Sequence, residues 1–171
     1  MSPKSLDVII RPARTADIDS IQRIIEPLVH ERILLGKELV MLFEAVQEFV
    51  VAEVAGEVLG CGALHVFWKD LGEIRTLAVS ELHKGRGLGG ALLRALEERA
   101  QALGLERLFC LTFEKDFFQK HGYREVLEPL VDSTVYAELV RSPDEGVAEF
   151  LDLARVKPNT LGNLRMVKNL G

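Results

Sequence analysis

LAVSELHKGRGLGGALL, residues 77–93, decides how the rest of the chain reads. An apolar strand-like run, EIRTLAV at 73–79, passes through a short polar loop into glycines and then directly into a helical pattern. Gly85, Gly87, Gly89 and Gly90 leave the backbone at the helix start uncovered by side chains. The first amides of a helix have no partner within it, and the helix dipole places partial positive charge there. Such a terminus suits a diphosphate. Lys84 and Arg86 add mobile cations at the rim. A flexible loop that binds nothing is the plain alternative, and it is disfavoured because glycine is costly at a helix start unless something approaches the backbone.

Gly85, Gly87 and Gly90 also satisfy G-x-G-x-x-G, the dinucleotide fingerprint, with Glu114 roughly where a ribose-binding acid is sought. The context differs. In a Rossmann unit the first glycine sits at the end of its strand, whereas Ser80 to Lys84 intervene here. Upstream, the chain reads as an antiparallel meander instead of the start of a βαβ unit.

The same residues resemble the acyl-CoA site of the GNAT acetyltransferase superfamily, whose pattern is Q/R-x-x-G-x-G/A after a strand ending in L-x-V. Here Leu77-Ala78-Val79 precede Lys84-Gly85-Arg86-Gly87-Leu88-Gly89. Lys84 stands where Gln or Arg is usual, and Glu81 where proline is frequent; lysine still meets a phosphate as a point charge. The resemblance implies acetyl-CoA as co-substrate and no metal. It implies a cofactor site built from Leu77, Ala78, Val79, Lys84, Gly85, Arg86, Gly87, Leu88, Gly89 and Gly90, with Phe118 beside it.

Length and composition agree with a single α/β domain over 1–171, of mixed α+β type: 171 residues with 48% hydrophobic content are ample for one buried core. No apolar run is long enough to cross a bilayer, and the N-terminal MSPKSLDVIIRPAR has too short an apolar stretch for a secretory signal. Cys61 and Cys110 sit in apolar strand-like runs and read as buried reduced thiols. These features point to the cytoplasm. A net charge of −5 argues against nucleic acid as a partner. His30, His65, His83 and His121 lack zinc-like spacing and read as structural or solvated. A small-molecule amine is the expected partner, no membrane is, and a homodimer is left open.

Along the chain, Val8 to Ile10 reads as a strand, and Thr15 and Asp17 open a helix that Pro27 bends or interrupts. After a break near Gly36, Leu39, Leu42, Phe43 and Val46 mark a second helix into Phe49. FVVAEVA, VLGCGALHVFW and EIRTLAV form the meander, with turns at Gly56 and near Asp70-Leu71-Gly72. The helix after the glycine loop buries Leu88, Leu92, Ala95, Leu96 and Leu103 and ends at Gly104. LERLFCLTF is expected to run parallel to EIRTLAV through a right-handed crossover. A short helix (DFFQKHG), a strand (YREVLE), two short helices after Pro129, a turn at VKPNTLGN and a closing strand (LRMVKNL) complete the reading. This is the GNAT order over nearly the whole chain. It implies a central mixed, largely antiparallel sheet with a splayed parallel pair, flanked by helices.

ERILLGKELVMLFEAVQEFVVAE, GCGALHVFWKDLGEIRTLAV and LFCLTFEKDFFQKHGY narrow the resemblance to bacterial N-acetylglutamate synthases of the short kind, which lack the kinase-related domain of the long kind. The reaction implied is direct acetyl transfer to the α-amine of glutamate, the first step of arginine biosynthesis. Glu73 is the matching general base, Val79 or Leu77 the amide donor to the acetyl oxygen, and Thr112 the hydroxyl assisting the leaving thiolate. On strand periodicity alone, Glu73, Arg75, Leu77 and Val79 share a face unless a bulge changes the register. Many GNAT enzymes place a tyrosine acid where this chain has Phe118; Tyr123 and Tyr136 are weaker substitutes. Cys110 lacks the His-Asp arrangement of a covalent mechanism. Lys37 matches a basic residue that binds a substrate carboxylate, and Arg75 is placed to bind the other; Lys157 and Arg165 are further cations. Glutamine or another small amine as acceptor, a GNAT enzyme acting on proteins, and a non-catalytic acetyl-CoA-binding module are the alternatives.

Overall fold

The meander and crossover read from the sequence assemble, in the computed structural model, into one seven-stranded sheet. The structure describes residues 7–151 and 163–171. The strands are β1 (Val8–Pro12), β2 (Phe49–Val54), β3 (Glu57–Val66), β4 (Leu71–Val79), β5 (Arg107–Thr112), β6 (Arg124–Glu125) and β7 (Leu164–Asn169). Their order is β1-β2-β3-β4-β5-β7-β6. Every pairing is antiparallel except β4 with β5. The helices are α1 (Ile18–His30), α2 (Leu39–Glu44), α3 (Leu88–Ala102), α4 (Lys115–Lys120), α5 (Ser133–Leu139) and α6 (Glu145–Phe150). The architecture is therefore mixed α/β, with helices on both faces of the sheet.

β2 alternates Val50, Ala52 and Val54 with Phe49 and Val51, all buried, because both of its faces are covered. On one face Val50, Ala52 and Val54 join Leu64, Ile74 and the α3 stripe Leu88, Leu92, Leu93, Leu96 and Ala100. On the other, Phe49, Val51, Cys61 and Ala63 meet Ile18, Ile21 and Ile25 of α1 and Leu42 of α2. A third cluster, with Phe67, Leu71, Phe109, Val147 and Phe150, seats α5 and α6 against β4 and β5. Pro27 lies inside α1, which continues to His30.

Several expectations need correction. Leu103 is 59% exposed, not buried; Leu93 and Ala100 complete the stripe because the helix turns Leu103 outward at its end. Leu71 and Gly72 belong to β4, and the chain turns just before them, with the Phe67 and Trp68 amides donating to the Leu71 carbonyl. The second helix is shorter than its apolar spacing suggests: α2 stops at Glu44, and a 3-10 turn at Val46–Glu48 follows. β6 is only two residues long. Most of the expected VKPNTLGN turn, with Lys157, lies outside the described residues.

Two irregularities in β4 shape the site. β4 and β5 pair only at Leu71↔Arg107, Gly72↔Leu108 and Glu73↔Phe109. Beyond these the strands part. In the same place the β3–β4 register slips between Cys61 and Ala63, and Thr76 takes a positive φ of 56°. That is a bulge. It reverses the alternation of β4: Ile74 packs with the α3 cluster, and so do Leu77 and Val79, while Ala78 packs with the α1 cluster. Glu73 and Arg75 therefore face the α1 and α6 side, and Leu77 and Val79 face α3. The shared face expected for all four is corrected by the bulge.

Candidate active site

Where β4 and β5 part, two hollows meet. The larger, of about 620 Å³, lies between the start of α3, the parted strands and α4, within the size range of small-molecule sites. Leu77, Ala78, Val79, Lys84, Gly85, Gly87, Leu88, Gly89 and Gly90 all line it. Gly85 and Gly87 have φ of 81° and 80°, and a Cβ on either would meet nothing within 4 Å. These two glycines thus keep a left-handed backbone open at the mouth of α3, whose 15 residues carry a full helix dipole. Lys84 sits at the rim and pairs with Glu81 at 3.0 Å. Arg86 is exposed and is not among the lining residues, whereas Arg94, nearly two turns into α3, is. His83 and His121, read from the sequence as structural or solvated, also line this cleft, and burial holds the His121 imidazole below its ordinary range.

The smaller hollow opens on the other side of the parted strands and gathers Lys37, Glu73, Arg75, Thr112 and Phe118, with Gly146 and Glu149 from α6. Ile33, Leu34, Leu77, Leu111, Thr112 and Phe118 line both hollows, so they form the neck between them. Thr112 is buried, and its Oγ1 accepts the Glu114 amide hydrogen at 2.8 Å, which leaves its own hydroxyl hydrogen to donate. Phe118 is buried edge-on between Phe117 and Tyr123.

Glu73 is only 4% exposed. Its Oε1 accepts from Arg75 Nε at 2.7 Å. Burial pushes the Glu73 carboxyl above its ordinary range; the Arg75 charge pulls against that and the Glu149 charge adds to it. Arg75 Nη1 reaches both oxygens of Asp144, at 3.0 and 3.1 Å. Asp144 is also the N-cap of α6, accepting from the Val147 amide at 2.9 Å. Burial works against its ionised form, yet Arg75 and that amide hold its carboxyl below the usual range. Arg75 Nη2 is buried with no hydrogen-bond partner among the described residues. A Cβ on Gly146 would stand 2.5 Å from that nitrogen, so only glycine lets α6 close over the guanidinium.

The remaining expected residues divide clearly. Tyr123 is buried away from both hollows, its hydroxyl 3.4 Å from Glu97, whose Oε2 also pairs with Lys168 at 2.6 Å; burial pushes the phenol up, so it is no ready acid. Tyr136 is exposed on α5 and lines neither hollow. Arg165 stacks on Phe150, 4.5 Å from the ring centroid. Burial raises the Cys110 thiol well above its ordinary range, with Glu73 adding to the effect, which leaves it unsuited to nucleophilic work. Asp144, Gly146 and Glu149 were not read as site residues. The Ser142-Pro143-Asp144-Glu145 signature marks a helix start and carries no hint of what the helix covers. Among the described residues no group of three or more His, Cys, Asp or Glu side chains could hold a metal ion.

Residues 19–123 match the Acetyltransferase (GNAT) family. Over 168 residues, 96% of each chain, the sequence is 50% identical to the amino-acid acetyltransferase of Mycobacterium tuberculosis. A Mycobacterium tuberculosis protein solved in complex with CoA superposes with a TM-score of 0.90 and 51% identity, covering 94% of this chain and 98% of that one. The N-acetylglutamate synthase of Neisseria gonorrhoeae, solved with coenzyme A and N-acetyl-glutamate, superposes with a TM-score of 0.77 and 28% identity. That match covers 96% of this chain but 35% of the longer one. Parted strands, a glycine-lined helix mouth and these matches agree: the chain belongs to the GNAT acetyltransferase family.

Proposed function

We propose that this protein transfers the acetyl group of acetyl-CoA directly to the α-amine of L-glutamate. The observation that carries the reading is the neck at Thr112 and Phe118. It joins a diphosphate-sized, glycine-mouthed cleft to a buried carboxylate flanked by the cations Arg75 and Lys37. The GNAT membership and the named relatives supply the acetyl donor and an amino-acid acceptor.

In this reading the diphosphate lies at the start of α3 and the pantetheine arm runs between β4 and β5. Unpaired β4 amides near Leu77 and Val79 receive the acetyl oxygen as charge develops on it. Glu73 takes a proton from the substrate ammonium, and burial, which raises its carboxyl, makes it a stronger proton acceptor. The Thr112 hydroxyl donates to the departing sulfur. Arg75 Nη2 and Lys37 hold carboxylate oxygens of the amino acid. Glutamine is a second reading with its own support. Glu149 lines the same hollow and accepts from Asn163 Nδ2 at 2.7 Å, an arrangement suited to a carboxamide.

Thiol release from acetyl-CoA, followed with glutamate, glutamine, spermidine and a peptide amine, tests the reading. Release is expected with the amino acids alone. Release with spermidine or the peptide, or with no acceptor, would refute it.

A further inference from the structure

The proposed reaction leaves a proton with nowhere obvious to go. Its balance is R–NH3+ + CH3CO–SCoA → R–NH–COCH3 + HSCoA + H+. The nitrogen gives up two protons while its bond to the acetyl carbon forms and the carbon–sulfur bond breaks. One proton ends on sulfur. The other, on this reading of the site, ends on Glu73, which is buried and must be cleared before the next cycle.

The titratable and charged groups around Glu73 come from every element packed on it. Arg75, beside it on β4, stays protonated and cannot accept. Cys110 of β5 is a neutral thiol that burial keeps protonated. Asp144 lies behind Arg75, which it grips with both oxygens. Glu149 of α6 and Lys37 line the substrate hollow itself, on the side an amino acid would fill. Away from that hollow, the sheet offers another direction. His65 on β3 is the direct cross-strand partner of Glu73, and such opposed residues hold their Cβ atoms roughly 5 Å apart. His65 Nδ1 in turn lies 2.9 and 3.1 Å from the two oxygens of Glu48. Side-chain exposure rises along this line, from 5% at Glu73 to 22% at His65 and 32% at Glu48. The ring is steadied edge-on by Phe67, 5.7 Å between centroids.

We propose that His65 carries the proton from Glu73 to Glu48 and so to water, which makes the His65–Glu48 pair the exit route of the reaction. With Nδ1 donating to Glu48, Nε2 holds the lone pair that receives the incoming proton; Nδ1 then releases its own to Glu48, and the ring returns by exchanging its two sites. Imidazole suits the task because one ring nitrogen can accept a proton while the other releases one. His65 acts through Glu73 and touches neither substrate, so it is a positioning residue for protons, and a simple structural ion pair is the competing account.

The inference rests on the proposed acetyl transfer, and rapid-mixing kinetics separates the two. Glu73 begins the first cycle ready to accept, so His65→Ala leaves the first turnover at its normal rate. Later turnovers wait on Glu73. Steady-state thiol release therefore falls by about 100-fold, the low end of what a positioned proton-transfer group contributes, and a burst appears. Millimolar imidazole restores the steady rate and erases the burst. His65→Gln, which keeps a hydrogen bond to Glu48, behaves like His65→Ala. The relay is overturned if the steady rate is unchanged, if first and later turnovers slow together, if His65→Gln restores the rate, or if imidazole leaves the burst in place. Absence of amino-acid-dependent turnover in the unaltered protein would sink the acetyl-transfer reading instead.

Discussion

Replacing Glu73 with glutamine should make the protein more stable and nearly inactive at once. The carboxyl is 4% exposed, and burial raises it above its unfolded value despite Arg75. An acid raised in this way contributes stability at low pH and loses it as pH climbs from the unfolded value through the folded one. At pH 7, well above the unfolded value, Glu73 therefore weighs against the fold. Glutamine has the same shape and imitates the neutral acid at every pH, while Arg75 keeps Asp144 at 3.0 Å. Each pH unit by which burial lifts the carboxyl corresponds to about 1.4 kcal/mol, or about 3–6 °C in Tm for a chain of this size. Calorimetry at pH 7 should show Glu73→Gln melting higher than the parent, and the gap should close below about pH 4. Turnover should fall by about 10²- to 10⁴-fold with CoA affinity intact. A lower melting point at pH 7 would mean that the Arg75 pair outweighs burial and that the reasoning is wrong. Undiminished turnover would remove Glu73 as the base.

Substitutions at three further positions probe other parts of the site. Asp144→Ala removes a helix cap worth about 1 kcal/mol and the charge-assisted bonds to Arg75, worth about 2 kcal/mol. Asp144→Asn keeps the cap, so by calorimetry it should lose less; because the Asp144 carboxyl is held low, its deficit should also vanish as pH falls below the ordinary carboxylate range, and equal losses for both variants would refute the capping role. Gly87→Ala has room for its Cβ but not for its φ of 80°; titration calorimetry should show CoA binding weakened by about 1.4 kcal/mol or more, tenfold in Kd, and unchanged affinity would place the diphosphate elsewhere. Lys37→Ala should raise KM for the amino acid by about tenfold, the loss of one charge-assisted bond, with kcat little changed; an unaltered KM would move the carboxylate site away from residue 37.

The strand, glycine loop and helix at 73–104 were legible because each is encoded locally: β-branched alternation, glycine at positive φ, an amphipathic stripe and a glycine terminator. The parallel placement of β5 followed from that crossover. The bulge was not legible. Its positive φ falls on Thr76, where no glycine advertises it, beside the close approach of Gly62 to Leu77 and Leu96. Nor was the link from Arg75 to Asp144, which spans 69 residues and depends on where α6 docks. Tyr123 looked available as an acid because its motif sits beside the cleft, yet the ring turns inward to Glu97. His65 reads from the sequence as structural or solvated because a lone histidine on a strand carries no spacing signal; the register that sets it opposite Glu73 is what the structure adds.

The half-turn that Thr76 introduces gives the molecule two doors. On the proposed reading a thioester nucleotide would enter from the α3 side and an amino acid from the α6 side, and the two would meet at the neck the hollows share. On that reading neither guest bars the other's way, and each should bind the protein in the other's absence.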